Sequence, residues 1–312
     1  MEAIKCEGLT KAYGKFVALD RLDLTIDEGV VFGFLGPNGA GKTTTVKLLT
    51  GLSRPTQGRA WVAGHEVDCN SNAFRAKCGF LPEEPAFYTW MTGREFLLHV
   101  AQLFGLSPNA AGKRADELLE MAGLQEAAKR RIGSYSRGMR QRLGLAQALV
   151  NRPRVLFLDE PCSALDPIGR RDVLELIHSL RGKVTVFMST HILADVERVC
   201  DDVGIIDHGR LIAHDSVVEL RERYARPAFE LQFAEPAEPL VQRLKAIPWV
   251  AKVEAGEENG SLRVLASDAV KARRELPSIL AASGLTLLRY EVVSPTLEDV
   301  FLEMVDHRNH VQ

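Results

Sequence analysis

Apolar positions along this chain fall into short unbroken runs and longer helical stripes. Residues 30–36 (VVFGFLG), 155–158 (VLFL) and 184–188 (VTVFM) are apolar runs of strand length. Runs of this kind predict buried strands. The first is followed by VKLLTGL (46–52), which has helical character. From about 86 to 150 the pattern is helical. Thr92-Gly93-Arg94-Glu95 reads as a capping box ahead of FLLHVAQLF, and KRADELLEMAGL follows Pro108. Beyond about 215 the pattern changes. FELQF, PLVQRLKAI, VAKVEA, SLRVLAS, DAVKARRELPSILAAS and TLLRYEVV predict β-α-β-β-α-β, the split βαβ or ferredoxin-like order, and a last helix opens at Pro295-Thr296. The expectation is an α/β domain over 1–215, with a helical part at 86–150, and a small α+β domain over 216–312.

Composition narrows the function classes. With 312 residues, 46% apolar and 26% charged, the chain can build a real core. A net charge of −2 gives no electrostatic case for nucleic acid or an anionic membrane surface. Cys6, Cys69, Cys78, Cys162 and Cys200 are scattered, odd in number and form no CxxC pair, so they read as reduced thiols. No segment approaches the ~18 consecutive apolar residues of a membrane span. The opening MEAIKCEGLTKAYG lacks the apolar stretch of a signal peptide. A role at a membrane therefore requires a partner chain.

The candidate chemistry lies where apolar runs end. GPNGAGKTT (36–44) stands between a strand and a helix and has the spacing G-x-x-x-x-G-K-[ST] of a phosphate-binding loop. Gly36, Gly39 and Gly41 let the backbone curl so that its N–H groups point at phosphate oxygens, and the helix N-terminus adds its dipole. Lys42 would reach the β- and γ-phosphates of ATP, and the Thr43 hydroxyl would hold Mg²⁺. Asp159 and Glu160 end the run at 155 and so fall where open α/β sheets bind ligands. Asp159 suits Mg²⁺, and Glu160 suits the water that attacks the γ-phosphate. Ser189, Thr190 and His191 end the run at 184, which makes His191 a candidate γ-phosphate sensor. GFLPEEP (79–85) is less decided: a solvated loop tip, or one glutamate facing a metal or substrate.

Over roughly residues 1–215 these motifs, in this order, resemble the nucleotide-binding subunit of an ABC transporter. Walker A is GPNGAGKTT, so Pro37, Asn38, Ala40 and Thr44 join the nucleotide-binding set, and GLSRPTQG (51–58) follows as in the family. Walker B is VLFLDEP, SALD (163–166) resembles the D-loop, and His191 the switch histidine. SYSRGMRQRLGLAQAL (134–149) is similar to the signature and its helix, the most specific element. The resemblance implies a P-loop NTPase fold with an antiparallel β part and a helical subdomain. It also implies a head-to-tail homodimer in which Ser136 and Gly138 of one subunit bind the γ-phosphate held by Walker A of the other. Arg137 stands where the family commonly has glycine, and its charge either approaches the phosphate or, the favoured reading, points to solvent. Tyr13 matches the aromatic that stacks on adenine, and Asp166 the D-loop aspartate that contacts the opposite subunit. Cys162 reads as packing. Glu83 takes the place of a glutamine that touches Mg²⁺ and the attacking water, leaving Glu84 as a solvated loop residue.

The same resemblance implies an ATPase, peripheral on the cytoplasmic face of the cell membrane, that drives a separate transmembrane permease. Its C-terminal domain is similar to the accessory domain of exporter ATPases. Phe87, Tyr88 and Trp90 are either part of the groove for a permease helix or core. The competing reading is a soluble ABC-type ATPase acting on nucleic acid or ribosomes. Long coiled coils, zinc insertions or a second motif set would mark that class, and none stands in this sequence.

Overall fold

The computed structural model describes residues 1–68, 73–224, 227–256, 260–293 and 297–298. They divide into two compact units, one over Met1–Val217 and one beginning at Val218.

In the first unit β1 (Glu2–Tyr13) and β2 (Phe16–Asp27) form a hairpin. β3 (Val31–Leu35) leads through residues 36–41 into α1 (Lys42–Leu49), and β4 (Gln57–Val62) and β5 (His65–Glu66) return to the hairpin. β6 (Cys78–Leu81) precedes the helical part, made of α2 (Gly93–Leu103), α3 (Pro108–Met121) and α4 (Arg137–Ala148). Then come β7 (Val155–Asp159), α5 (Pro167–Ser179), β8 (Thr185–Thr190), α6 (Leu193–Val199), β9 (Asp202–Asp207) and β10 (Arg210–Ser216). α7 (Val217–Tyr224) starts at the last residue of this unit and otherwise belongs to the second.

Two sheets result. One is antiparallel with order β2-β1-β4-β5; the other has six strands in the order β10-β9-β3-β8-β7-β6. In the second, β9, β3, β8, β7 and β6 run parallel, and β10 adds an antiparallel edge. The reason is local to the sequence. Every residue of β3, β7 and β8 is buried, as central parallel strands covered on both faces require. Phe32, Phe34 and Phe157 pack around Phe187 with ring centroids 5.2–5.8 Å from it. This aromatic layer belongs to one core with Ile4, Leu24 and Val62 of the antiparallel sheet, so the sheets are bound back to back.

The helical part is set by its caps. Thr92 accepts from Glu95 N at 3.2 Å while Glu95 Oε2 accepts from Thr92 N at 2.9 Å, the reciprocal box expected for α2. Ser107 caps α3 ahead of Pro108 at its first position, and Ser136 caps α4. Residues 86–92, expected within a helical stretch, are irregular, because Pro82 and Pro85 break the backbone and Thr92 starts the helix only afterwards.

The second unit follows the expected order: β11 (Ala228–Phe233), α8 (Glu238–Lys245), β12 (Val250–Ala255), β13 (Ser261–Ala266), α9 (Ala269–Ala281) and β14 (Leu287–Val293). Its sheet order, β12-β13-β11-β14, is antiparallel throughout, the pairing a split βαβ fold requires. Phe229, Leu231 and Phe233 alternate onto a core shared with Leu240, Leu244 and Leu276 of the helices. The helix expected from Pro295-Thr296 lies almost wholly outside the described residues, as does Cys69. Among the described residues no helix is long and apolar enough to cross a membrane.

Candidate active site

Because β3, β7 and β8 are parallel and adjacent, their C-terminal ends share one edge. Leu35 is in register with Thr190, and Asp159 with Ser189. The loop after β3 therefore opens beside the two polar strand ends. The loop is sterically specified. A Cβ on Gly36 would lie 2.3 Å from the Ile206 carbonyl oxygen, and one on Gly41 2.5 Å from that of Ala18. Gly41 also caps α1 at φ 109°, a conformation that a side chain would strain.

Within that curl Lys42 is 6% exposed, and its Nζ donates to the carbonyl oxygens of Gly36 at 2.7 Å and Pro37 at 3.1 Å. The same ammonium lies 3.3 Å from Glu160 Oε1. The other oxygen of Glu160, Oε2, is 2.9 Å from His191 Nδ1, so this carboxylate bridges the loop lysine and the strand-end histidine. Glu160 holds φ 48°, an uncommon backbone for a non-glycine residue, and its N–H donates to Ser189 O at 3.0 Å. One residue earlier, Asp159 Oδ1 accepts from Thr43 Oγ1 at 3.2 Å and from Ser189 Oγ at 2.5 Å. Two carboxylates, a lysine, a histidine and two hydroxyls thus meet at a cleft of about 460 Å³.

Asn38, Gly39, Gly41, Lys42, Thr43, Thr44, Glu83, Glu160 and His191 line that cleft. Gly36, Pro37 and Ala40 form the loop around Lys42, and Asp159 sits just behind it. Glu83, itself exposed, faces Ser163, whose hydroxyl donates to Oε1 at 3.4 Å; Glu84 is also exposed and does not line the cleft. Ser136, Gly138 and Asp166 lie elsewhere. Ser136 caps α4, Asp166 precedes α5, and Gly138 and Gly169 bring the two helix starts together. Arg137 is exposed.

Tyr13 is exposed and does not line the cleft; the ammonium of Lys11 lies 5.0 Å from its ring centroid. Phe16 and Ala18, which no motif singled out, and Ser163, the first residue of SALD, do line it. Phe16 was findable in principle, since a turn at Gly14-Lys15 pairs Tyr13 with Phe16 across the hairpin and on the same face. Of the three aromatics after GFLPEEP, Phe87 packs edge-on to Phe96 at 5.1 Å, whereas Tyr88 and Trp90 are exposed.

Residues 19–163 match the ABC transporter family, and residues 216–305 match the C-terminal domain of DrrA1-3-like ATP-binding proteins. The chain is 40% identical over 302 residues to the uncharacterized ABC transporter ATP-binding protein YxlF of Bacillus subtilis, covering 97% of this chain and 99% of that one. The chain belongs to the ATP-binding proteins of ABC transporters. As a member of that family it is an ATPase. Another relative is the bacitracin transport ATP-binding protein BcrA of Bacillus licheniformis, 36% identical over 97% of each chain. The daunorubicin resistance ATP-binding protein DrrA2 of Streptomyces coeruleorubidus is 39% identical over 98% of this chain and 96% of its own. Among solved structures, an ATP-binding subunit of an ABC transporter superposes with a TM-score of 0.64 at 29% identity, over 71% of this chain and 93% of its own. A dimeric ATP-binding cassette in a post-hydrolysis state, bound to ADP and Pi, gives a TM-score of 0.62 at 26% identity, over 68% of this chain and 98% of its own.

Proposed function

We propose that this ATPase is the motor of an exporter. It would work as a homodimer on the cytoplasmic face of the cell membrane and drive a separate transmembrane permease. Export is supported by relatives named for bacitracin transport and daunorubicin resistance, which this chain matches over nearly its full length. The absence of a spanning helix among the described residues fits a subunit whose membrane contact is the permease. The second reading, on nucleic acid or ribosomes, has no observation in its favour.

The observation that carries the mechanism is the Lys42–Glu160–His191 chain in one cleft. In this reading the backbone N–H groups of residues 36–44 and the Lys42 ammonium bind the β- and γ-phosphates. Glu160 takes the proton of the attacking water, and His191, held on Oε2, orients that carboxylate. Bound ATP gives Lys42 a new anionic partner and frees Glu160 for the water. Ser136 and Gly138, at the N-terminus of α4, would meet the partner subunit's nucleotide, and Asp166 would face the partner across the same interface. One ring of the hairpin, Phe16 on the cleft wall or its partner Tyr13, would stack on the adenine.

Mg²⁺ fits the donor set. The Thr43 hydroxyl and the Asp159 carboxylate are hard oxygens that already face each other, and Glu83 opens into the same cleft. No group of three or more His, Cys, Asp or Glu side chains forms a metal cage among the described residues. One or two carboxylates completed by substrate phosphates is the usual way proteins bind this ion. When bound, it would neutralise charge on the phosphates.

Glu160→Gln tests the assignment. The variant is expected to bind ATP and accumulate as a dimer while turnover falls about 10²- to 10⁴-fold. Hydrolysis at the wild-type rate would show that the base lies elsewhere.

A further inference from the structure

Behind the Glu160–His191 contact lies an ion pair that no motif marks. Arg170, in the first turn of α5, donates through Nε to Asp195 Oδ1 at 2.7 Å, and Asp195 sits in the first turn of α6. The Asp195 side chain is 2% exposed, and its second oxygen, Oδ2, has no hydrogen-bond partner among the described residues. Burial pushes this carboxyl above the usual carboxylate range against the pull of Arg170, and the charge of Glu160 adds to the push. The neighbouring Cys162 thiol is itself pushed up to about 12, by burial first and then by the Asp195 charge, so it stays neutral and adds no second negative charge beside Asp195.

A buried carboxylate with half of its acceptors unused is a poor way to gain stability. Its placement has another consequence. α5 begins after the segment that leaves Glu160, and Ser163 N donates back to Glu160 O at 3.1 Å. α6 begins at Leu193, two residues after His191; between them Ile192 N donates to Thr190 Oγ1 at 3.1 Å, and no side chain caps the helix. The placement of α6 therefore passes to His191 through a very short lever.

We propose that Arg170 and Asp195 are positioning residues: by locking the first turn of α6 to that of α5, they hold the His191 imidazole on Glu160. The proposal rests on the reading of Glu160 and His191 given above. It assigns the pair no contact with nucleotide, so loss of the pair should lower turnover without weakening ATP binding.

The test uses the full-length chain with Arg170→Ala, Asp195→Asn and Arg170→Lys. Expected for the first two is a kcat lowered about 10- to 100-fold, the cost of a small misplacement at a reacting group, with KM for ATP unchanged. The ¹⁵N imidazole resonances of His191, assigned with His191→Gln, should shift in both. Arg170→Lys, which keeps the charge, should recover most of kcat and return the resonances toward wild type. Two results would overturn the proposal: unmoved imidazole resonances, or a kcat that falls only with the folded fraction and is no better in Arg170→Lys. If Glu160→Gln proves fully active, the assigned base is wrong, and the imidazole resonances alone then decide for or against the pair.

Discussion

Lys42 Nζ and Glu160 Oε1 lie 3.3 Å apart, and both side chains are under a tenth exposed. In the proposed mechanism, nucleotide binding acts on an ammonium that already has an anionic partner. Wild-type protein should gain about 2.7 kcal/mol of stability at an ATP concentration a hundred times Kd. Lys42→Ala should lose most of that gain, as ATP-dependent thermal melts would show. An equal shift in wild type and variant would remove Lys42 from the phosphate site.

Glu83 and Glu84 are both exposed, but only Glu83 lines the cleft and meets Ser163, so the adjacent glutamates should separate functionally. A carboxylate coordinates Mg²⁺ more strongly than an amide. Glu83→Gln is expected to raise the Mg²⁺ concentration for half-maximal ATPase activity about tenfold, and Glu84→Gln to leave it unchanged. Mg²⁺ titrations of the two variants check this. Equal, negligible effects would make both residues part of a charged turn.

Phe16 lines the cleft while Tyr13, its partner across the hairpin, does not. Base–aromatic stacking is worth about 1–3 kcal/mol, so Phe16→Ala should weaken ATP binding about 5- to 150-fold. Binding of inorganic tripolyphosphate, which has no base, should not change. Calorimetry with both ligands, on Phe16→Ala and on Tyr13→Ala, shows which ring meets the base.

Thr92 closes the capping box that starts α2. Thr92→Ala should cost about 0.5–2 kcal/mol, read as a shift in urea midpoint at constant slope. Thr92→Ser should recover most of the loss, because it keeps the accepting oxygen.

Arg94 Nε and Asp116 Oδ1, 2.6 Å apart, tie α2 to α3. The Arg94 hydrogen bond, followed by its charge, holds the Asp116 carboxyl below its ordinary value of 3.8. A carboxyl lowered in the folded state stabilises above its unfolded pKa, and that contribution is lost as pH falls through the lowered value. Both groups are largely exposed, so solvent limits the gain to about 0.2–1 kcal/mol. Asp116→Asn should therefore be less stable than wild type at pH 7, and the difference should shrink as pH falls below 3.8. Urea melts across a series of pH values measure it.

What the sequence determined by itself is what depends on neighbours along the chain. Buried strands announce themselves as unbroken apolar runs, and the runs at 30, 155 and 184 became β3, β7 and β8. The phosphate loop and the cap of α2 are fixed by backbone requirements a few residues long, and the β-α-β-β-α-β order of the second unit follows from its periodicity. Spatial strand order is not written in periodicity. β8 lies between β3 and β7, and that placement alone brings Lys42, Glu160 and His191 together, because a hydrogen bond or ion pair forms only within a few ångströms. The same limit hid Phe16 on the cleft wall, Ser163 against Glu83, and Arg170 against Asp195. Burial completes the division: Asp195 reads as an ordinary acidic residue on a helix, and only the packing of α5 on α6 takes its carboxylate out of water.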